Sequence, residues 1–284
     1  MQEFPQTMPV PDSPPIASDG FPARATGPWV YHKKHYFERY VDIFSRGVGP
    51  KWAGKLSYVD LFSGPGYSIV RGTNDEVKGS PLLSLDDEFA RHVFVDVPEV
   101  LCSLEKRLSE HPKRSQIVLV PGDCNEVIGD VLKSLPADHL TLAFIDPTGL
   151  QIKFNTIRRL VHNRKVDLLM TIQLGMGIRL NLPQYIQTEG TAPNDWMGNS
   201  DWRKDCNAGG SWSQITRRIV ARYMAQIRKL DYLTVQDRET EVRTDEGNLL
   251  LYFMVLASRH PRGEDFWRKA TQIGPSGQRR LNLS

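Results

Sequence analysis

An α/β fold, a mostly parallel sheet with helices on both faces, is predicted for this 284-residue chain by three observations. Short apolar runs alternate with segments of helical period, as where Tyr58, Val59, Leu61 and Phe62 are followed later by Leu101, Leu104 and Leu108. A glycine turn, Gly64-Pro65-Gly66, closes the first of these runs just after Asp60. Three later apolar runs each lead to an aspartate, at Asp96, Asp123 and Asp146. In open α/β sheets ligands bind beyond the carboxyl ends of the strands, so these positions mark one candidate crevice.

The composition bounds the class. With 40% apolar and 24% charged residues the chain has the make-up of an ordinary soluble globular protein, and its length suits one large α/β domain carrying insertions. A net charge of +3 and a pI near 8.7 permit contact with nucleic acid without demanding it. Cys102, Cys124 and Cys206 are odd in number, far apart and without CxxC spacing, which points away from a disulfide framework or a zinc site and fits a reducing cytoplasm. No run has the length and apolarity of a membrane span, and the N-terminus lacks the layout of a secretion signal.

In chain order, residues 1–28 are rich in proline with little to bury, and are expected as a disordered arm before a single domain at 29–284. Residues 29–44 place Val30, Phe37, Tyr40, Val41 and Phe44 at near-helical spacing and predict an amphipathic helix covering the sheet. His32 and His35 lie on it without a third ligand nearby, so a solvated face is the reading preferred over a metal site. The run at 58–62 is apolar enough for a strand buried on both faces. Gly64 and Gly66 then supply a turn of unusual dihedrals that lets a ligand approach the backbone. A dinucleotide fingerprint wants a third glycine where Ile69 stands, and a helix beginning at once. A carboxylate at this turn, Asp60, suits a cationic ligand better than a diphosphate, and S-adenosylmethionine carries both a sulfonium and an ammonium. The helix after the first strand is delayed by a polar insert at 67–78 and begins at Ser80-Pro81.

The second strand ends at Asp96, where one carboxylate is able to accept from both hydroxyls of a ribose, or else to cap the next helix. Asp123 follows the third strand and has the same two readings, accepting from an adenine amine or capping. The fourth strand, 140–145, ends in Asp146-Pro147-Thr148-Gly149. Capping explains one such aspartate well and a recurrent series poorly; a shared ligand crevice explains the series.

A fifth strand is expected at 166–172, followed by an irregular insertion at about 175–210 that is the candidate substrate-facing element. Its alternative is a packed surface excursion around Trp196 and Trp202. The helix at 212–230 carries Arg217, Arg218 and Arg222 opposite its apolar face, either as a phosphate-binding surface for nucleic acid or as an ordinary solvated face. Two closing strands at 232–239 and 249–257 predict an antiparallel pair, and a last helix is expected near 264–273.

This order of elements resembles the class I S-adenosylmethionine-dependent methyltransferases. More narrowly, Tyr58-Val59-Asp60-Leu61-Phe62-Ser63-Gly64-Pro65-Gly66, Gly79-Ser80-Pro81, Phe94-Val95-Asp96, Gly122-Asp123, Phe144-Ile145-Asp146-Pro147 and Ala257-Ser258-Arg259-His260-Pro261 resemble the three-Cys-motif partner (TcmP) family. The resemblance implies a Rossmann-like, mostly parallel seven-stranded sheet with an antiparallel last strand and S-adenosylmethionine as cofactor. It places Asp60, Phe62, Gly64 and Gly66 at the methionine end, Asp96 at the ribose and Asp123 at the adenine. It also implies a protein partner carrying three cysteines, a motif that the cysteines here do not form. Asp146 and Pro147 would stand nearest the transferring methyl. Enzymes that methylate base amines follow this strand with a second proline and an aromatic; Thr148 and Gly149 occupy those places, which counts against that mechanism. The expected function is a methyltransferase-like protein, with a non-catalytic partner of the same fold as the alternative.

Overall fold

A computed structural model describes residues 13–173, 182–232, 234–235, 240–243 and 250–275. Five parallel strands build most of the main sheet: β2 (Leu56–Asp60), β5 (Arg91–Asp96), β6 (Ile117–Pro121), β7 (Leu140–Ile145) and β8 (Lys165–Ile172). They are joined by α2 (Ser80–Ser84), α3 (Pro98–Leu108), α4 (Cys124–Ser134) and α5 (Phe154–Val161). β11 (Leu250–Ser258) runs antiparallel to β8, and β10 (Thr240–Arg243) antiparallel to β11. The path reads β10-β11-β8-β7-β2-β5-β6, with the two-residue β9 (Thr234–Val235) paired to β11 off that path. This is the expected mostly parallel sheet of seven strands with an antiparallel last strand.

Burial on both faces explains the continuous apolar runs. Val59, Val93, Ala143, Leu168 and Val255 face one core, closed by α4, α5 and α9 (Trp212–Arg228). Their neighbours in sequence, Tyr58, Phe94, Leu142, Leu169 and Met254, face the other, closed by α1 (Val30–Trp52), α3 and α10 (Pro261–Thr271). Strand periodicity therefore sends alternate side chains into two separate cores. No helix among the described residues is long and apolar enough to cross a membrane.

Four expectations are revised. The first helix continues beyond residue 44 to Trp52, where a left-handed Ala53 ends it with its N–H on the Gly49 carbonyl. The polar insert at 67–78 is a strand pair, β3 (Tyr67–Val70) with β4 (Glu76–Lys78). β1 (Arg24–Thr26) joins it in parallel to form a small second sheet. Residues 13–28, expected in a disordered arm, are thus folded onto the domain: Ala17 and Ala23 are buried and the Arg107 side chain binds the arm at several points. Residues 1–12 lie outside the described residues.

The segment expected to be irregular contains three short helices, α6 (Leu182–Gln187), α7 (Ala192–Met197) and α8 (Trp202–Asn207). Pro193 opens α7, and the buried Trp202 indole donates to the Asn194 side chain at 2.7 Å. Trp196 stacks on Tyr223 of α9 with centroids 4.0 Å apart. The described part of this segment is a packed excursion on α9, in line with the alternative, while 174–181 lie outside the described residues. The strand ends at 236–239 and the link at 244–249 also lie outside them.

Candidate functional site

The strand order reverses between β2 and β7: chain order leads from β2 outward to β5 and β6, then returns to β7 on the other side. A crevice opens at such a point beyond the strand ends. Asp60 and Asp146 flank it, one at the end of each strand.

Asp60 is fully buried. One carboxylate oxygen accepts from the Phe62 N–H at 3.1 Å, the other from the Ser80 hydroxyl at 2.6 Å and the Tyr58 hydroxyl at 3.2 Å. Burial pushes its carboxyl up to about 7, the Ser80 and Phe62 hydrogen bonds offsetting only part of that desolvation. Asp60 therefore fastens the turn and the start of α2 to the sheet.

That backbone is shaped by two glycines with positive φ, Gly64 at 69° and Gly66 at 104°. A Cβ on Gly66 would meet Arg107 and Leu104 of α3 at 3.1 and 3.2 Å, so its hydrogen serves helix packing. A Cβ on Gly64 would find only the Arg24 guanidinium, 3.8 Å away, leaving this face approachable. The Gly64 N–H donates to Asp96 at 2.8 Å, tying the turn to the end of the neighbouring strand. The other Asp96 oxygen accepts from the Val97 N–H at 2.8 Å. Each oxygen keeps a lone pair, and the residue is half-buried, so a diol could still be bound there. α3 itself starts without a side-chain cap. Asp123, by contrast, caps α4: its carboxylate accepts from the Asn125 N–H at 2.8 Å and is exposed.

Asp146 is buried and engaged on both sides. Thr171 donates to one oxygen at 2.5 Å, and the Lys33 ammonium of α1 pairs with the other. The Pro147 carbonyl accepts from the Gln173 side-chain amide at 2.7 Å. A narrow cleft runs between α1, the glycine turn and the small sheet, walled by Phe37, Phe62, Gly64, Ser80, Phe144 and Asp146. Arg24, Lys33, Lys34 and Lys78 also line it, giving the wall more positive than negative groups. Lys34 and Lys78 have partners in Glu38 and Asp86, whereas Arg24 has no ion pair or side-chain hydrogen bond among the described residues.

Lys33, Arg24 and Arg107 were not singled out by sequence reasoning. Lys33 had a signal: it falls on the stripe of Val30, Phe37, Tyr40 and Phe44, where a charge facing the core needs a partner. The Arg107 side chain is more deeply buried than that of Lys33, and its guanidinium binds Asp19 at 2.6 and 2.8 Å, the Pro65 carbonyl at 2.6 Å and the Pro22 carbonyl at 2.9 Å. It joins arm and glycine turn through one side chain. The arginines of α9 are engaged within the chain. Arg217 pairs with Glu241, Arg218 donates to the Asp205 carbonyl at 2.8 Å, and Arg222 forks onto the Asp205 carboxylate at 2.5 and 2.9 Å. Among the described residues no three His, Cys, Asp or Glu side chains are grouped to hold a metal ion.

No family model and no curated protein matches the chain. Solved structures do match. A DUF519 protein of Legionella pneumophila superposes with a TM-score of 0.50 at 10% identity, over 86% of this chain and 93% of that one. A DUF574 family protein from Streptomyces avermitilis gives 0.43 at 12% identity, over 81% and 83%. M. jannaschii TYW2, solved in complex with AdoMet, gives 0.38 at 10% identity, over 79% and 73%. At 10% identity the DUF519 likeness is one of fold. The chain's own strand order, antiparallel last strand and helices on both faces are those expected of the class I methyltransferase fold.

Proposed function

We propose that this is an S-adenosylmethionine-binding, methyltransferase-like protein. The observation that carries the reading is the glycine turn at the switch point, held open on its Gly64 face and tethered to Asp96 of the adjoining strand. Asp96 would accept from the ribose hydroxyls and Asp123, through the oxygen its cap leaves free, from the adenine amine. The backbone ordered by Asp60 would lie along the methionine end. When bound, the cofactor supplies an electrophilic methyl on a sulfonium, and proximity to an in-line nucleophile is the main requirement for transfer. Arg24 on the cleft wall, which has no ion pair among the described residues, favours an anionic acceptor such as nucleic acid, and suits that role better than the engaged Arg217, Arg218 and Arg222.

One observation favours the non-catalytic reading. A general base must be within reach of the acceptor and free to take its proton. The Asp146 carboxylate is held by Lys33 and Thr171, and the Pro147 carbonyl by Gln173. Either the acceptor displaces Lys33 or the protein is a non-catalytic partner that keeps the methyltransferase fold. Transfer of labelled methyl to material captured from native lysate separates the two. Label incorporation that is lost in Asp96→Ala supports the enzyme; binding of cofactor with no incorporation into any captured protein or nucleic acid supports the partner.

A further inference from the structure

A hollow larger than the cleft lies at the opposite end of the strands from the glycine turn. It sits where β7 and β8 begin and β11 ends, between the second half of α1 and the start of α10. Its volume is about 610 Å³, within the usual span for small-molecule sites. Phe44, Val48 and Trp52, at spacings of four residues, form the α1 wall; Leu140 and Val166 form the floor, and Phe266 closes the α10 side. This wall is fixed by close packing, since a Cβ on Gly47 would stand 2.5 Å from the Phe266 ring.

Three cations ring this apolar hollow: Lys51, Lys165 and Arg262. All three are exposed, and among the described residues none has a carboxylate partner. The Lys165 ammonium stands 4.8 Å from the centroid of Trp52, leaving its other faces free. The lone carboxylate in the lining, Asp167, is buried and hydrogen-bonded by Ser258 and the Arg259 N–H. Arg259 itself points into the fold, onto the carbonyls of Val161, Arg164 and Leu230. The hollow therefore offers hydrocarbon contact inside and uncompensated positive charge at its mouth.

We infer that this hollow binds a small amphipathic anion, a hydrocarbon body with a carboxylate head. The body would lie against Phe44, Val48, Trp52 and Phe266, and the head would sit among Lys51, Lys165 and Arg262. A nucleobase fits less well, because its donors and acceptors would meet an apolar floor whose only carboxylate is already engaged. The inference is independent of cofactor binding at the other end of the strands.

Calorimetric titration of the full chain with octanoate, decanoate and dodecanoate tests it. The expected result is saturable binding at one site, tightening about fourfold for each added methylene. Lys51→Glu and Lys165→Glu, both surface changes, should each weaken decanoate roughly tenfold or more while leaving the thermal melt unchanged, as expected if a paired charge is worth about 1.4 kcal/mol. Decyltrimethylammonium, with the same body and the opposite head, should bind far more weakly. The inference is overturned if decanoate shows no saturable binding, if the ammonium binds as well as the carboxylate, if charge reversal leaves affinity unchanged, or if adenosine monophosphate binds there in decanoate's place.

Discussion

The Asp60 carboxylate is engaged within the chain, by Tyr58, Phe62 and Ser80. The sequence places a carboxylate beside the glycine turn, and a ligand contact was the expectation. The fold seals it under Ser80, twenty positions later in the chain, and a bond with that separation leaves no local pattern to read. The sealing has a pH signature. A carboxyl held at about 7 prefers its neutral form when folded, so its contribution to stability is complete below the ordinary value of 3.8. That contribution is lost as pH rises to and through about 7. The gap corresponds to roughly 4 kcal/mol at most. Asp60→Asn keeps an acceptor for Phe62 and cannot ionise. Denaturant unfolding of the two proteins between pH 4 and 8 should show the variant gaining on the wild type as pH rises; parallel curves would mean that Asp60 is not the buried titrating group. Asp167, pushed up to about 6 by burial, has the same sign and is present in both proteins, so it drops out of the comparison.

At the scale of elements, the arm and the small sheet are where composition misled. Residues 13–28 bury few large apolar side chains, and the expectation of disorder rested on that poverty. What orders them is polar and long-range: β1 pairs with β3, Ser18 binds Glu76 at 2.7 Å, and Arg107 reaches Asp19 and several carbonyls. Arg107→Ala should therefore release the arm. Hydrogen exchange is expected to quicken at least tenfold for the amides of residues 17–26, with β2 and β7 unchanged. The loss in global stability should be about 1–3 kcal/mol, because Asp19 stays partly in water when its partner goes. Protection of the arm equal to wild type would show that strand pairing alone holds it. The helices α7 and α8 were legible only as Trp196 and Trp202 needing cover; the helix that covers them, α9, is recognisable from its apolar face but its docking partner is not.

Across the whole molecule the sheet was the most legible feature, since strand period, buried runs and aspartates at strand ends are local signals that repeat. Their repetition marks one end of the strands as the candidate crevice, and the strand order adds the reversal between β2 and β7. The grouping of cations around it has no such repeated local signal. Arg24 comes from the arm, Lys33 from α1 and Lys78 from the insert, and only the folded chain brings them to one wall. The hollow at the far end of the strands is likewise made by α1 and α10, which lie at opposite ends of the chain. The central claim, that the glycine turn and Asp96 form a cofactor site, is tested most directly by calorimetric titration of S-adenosylmethionine into the full chain and into Asp96→Ala. Saturable binding at one site is expected, weakening by about 1–3 kcal/mol in the variant. Absence of binding to a wild type with an intact fold, or an affinity unchanged by Asp96→Ala, would contradict it.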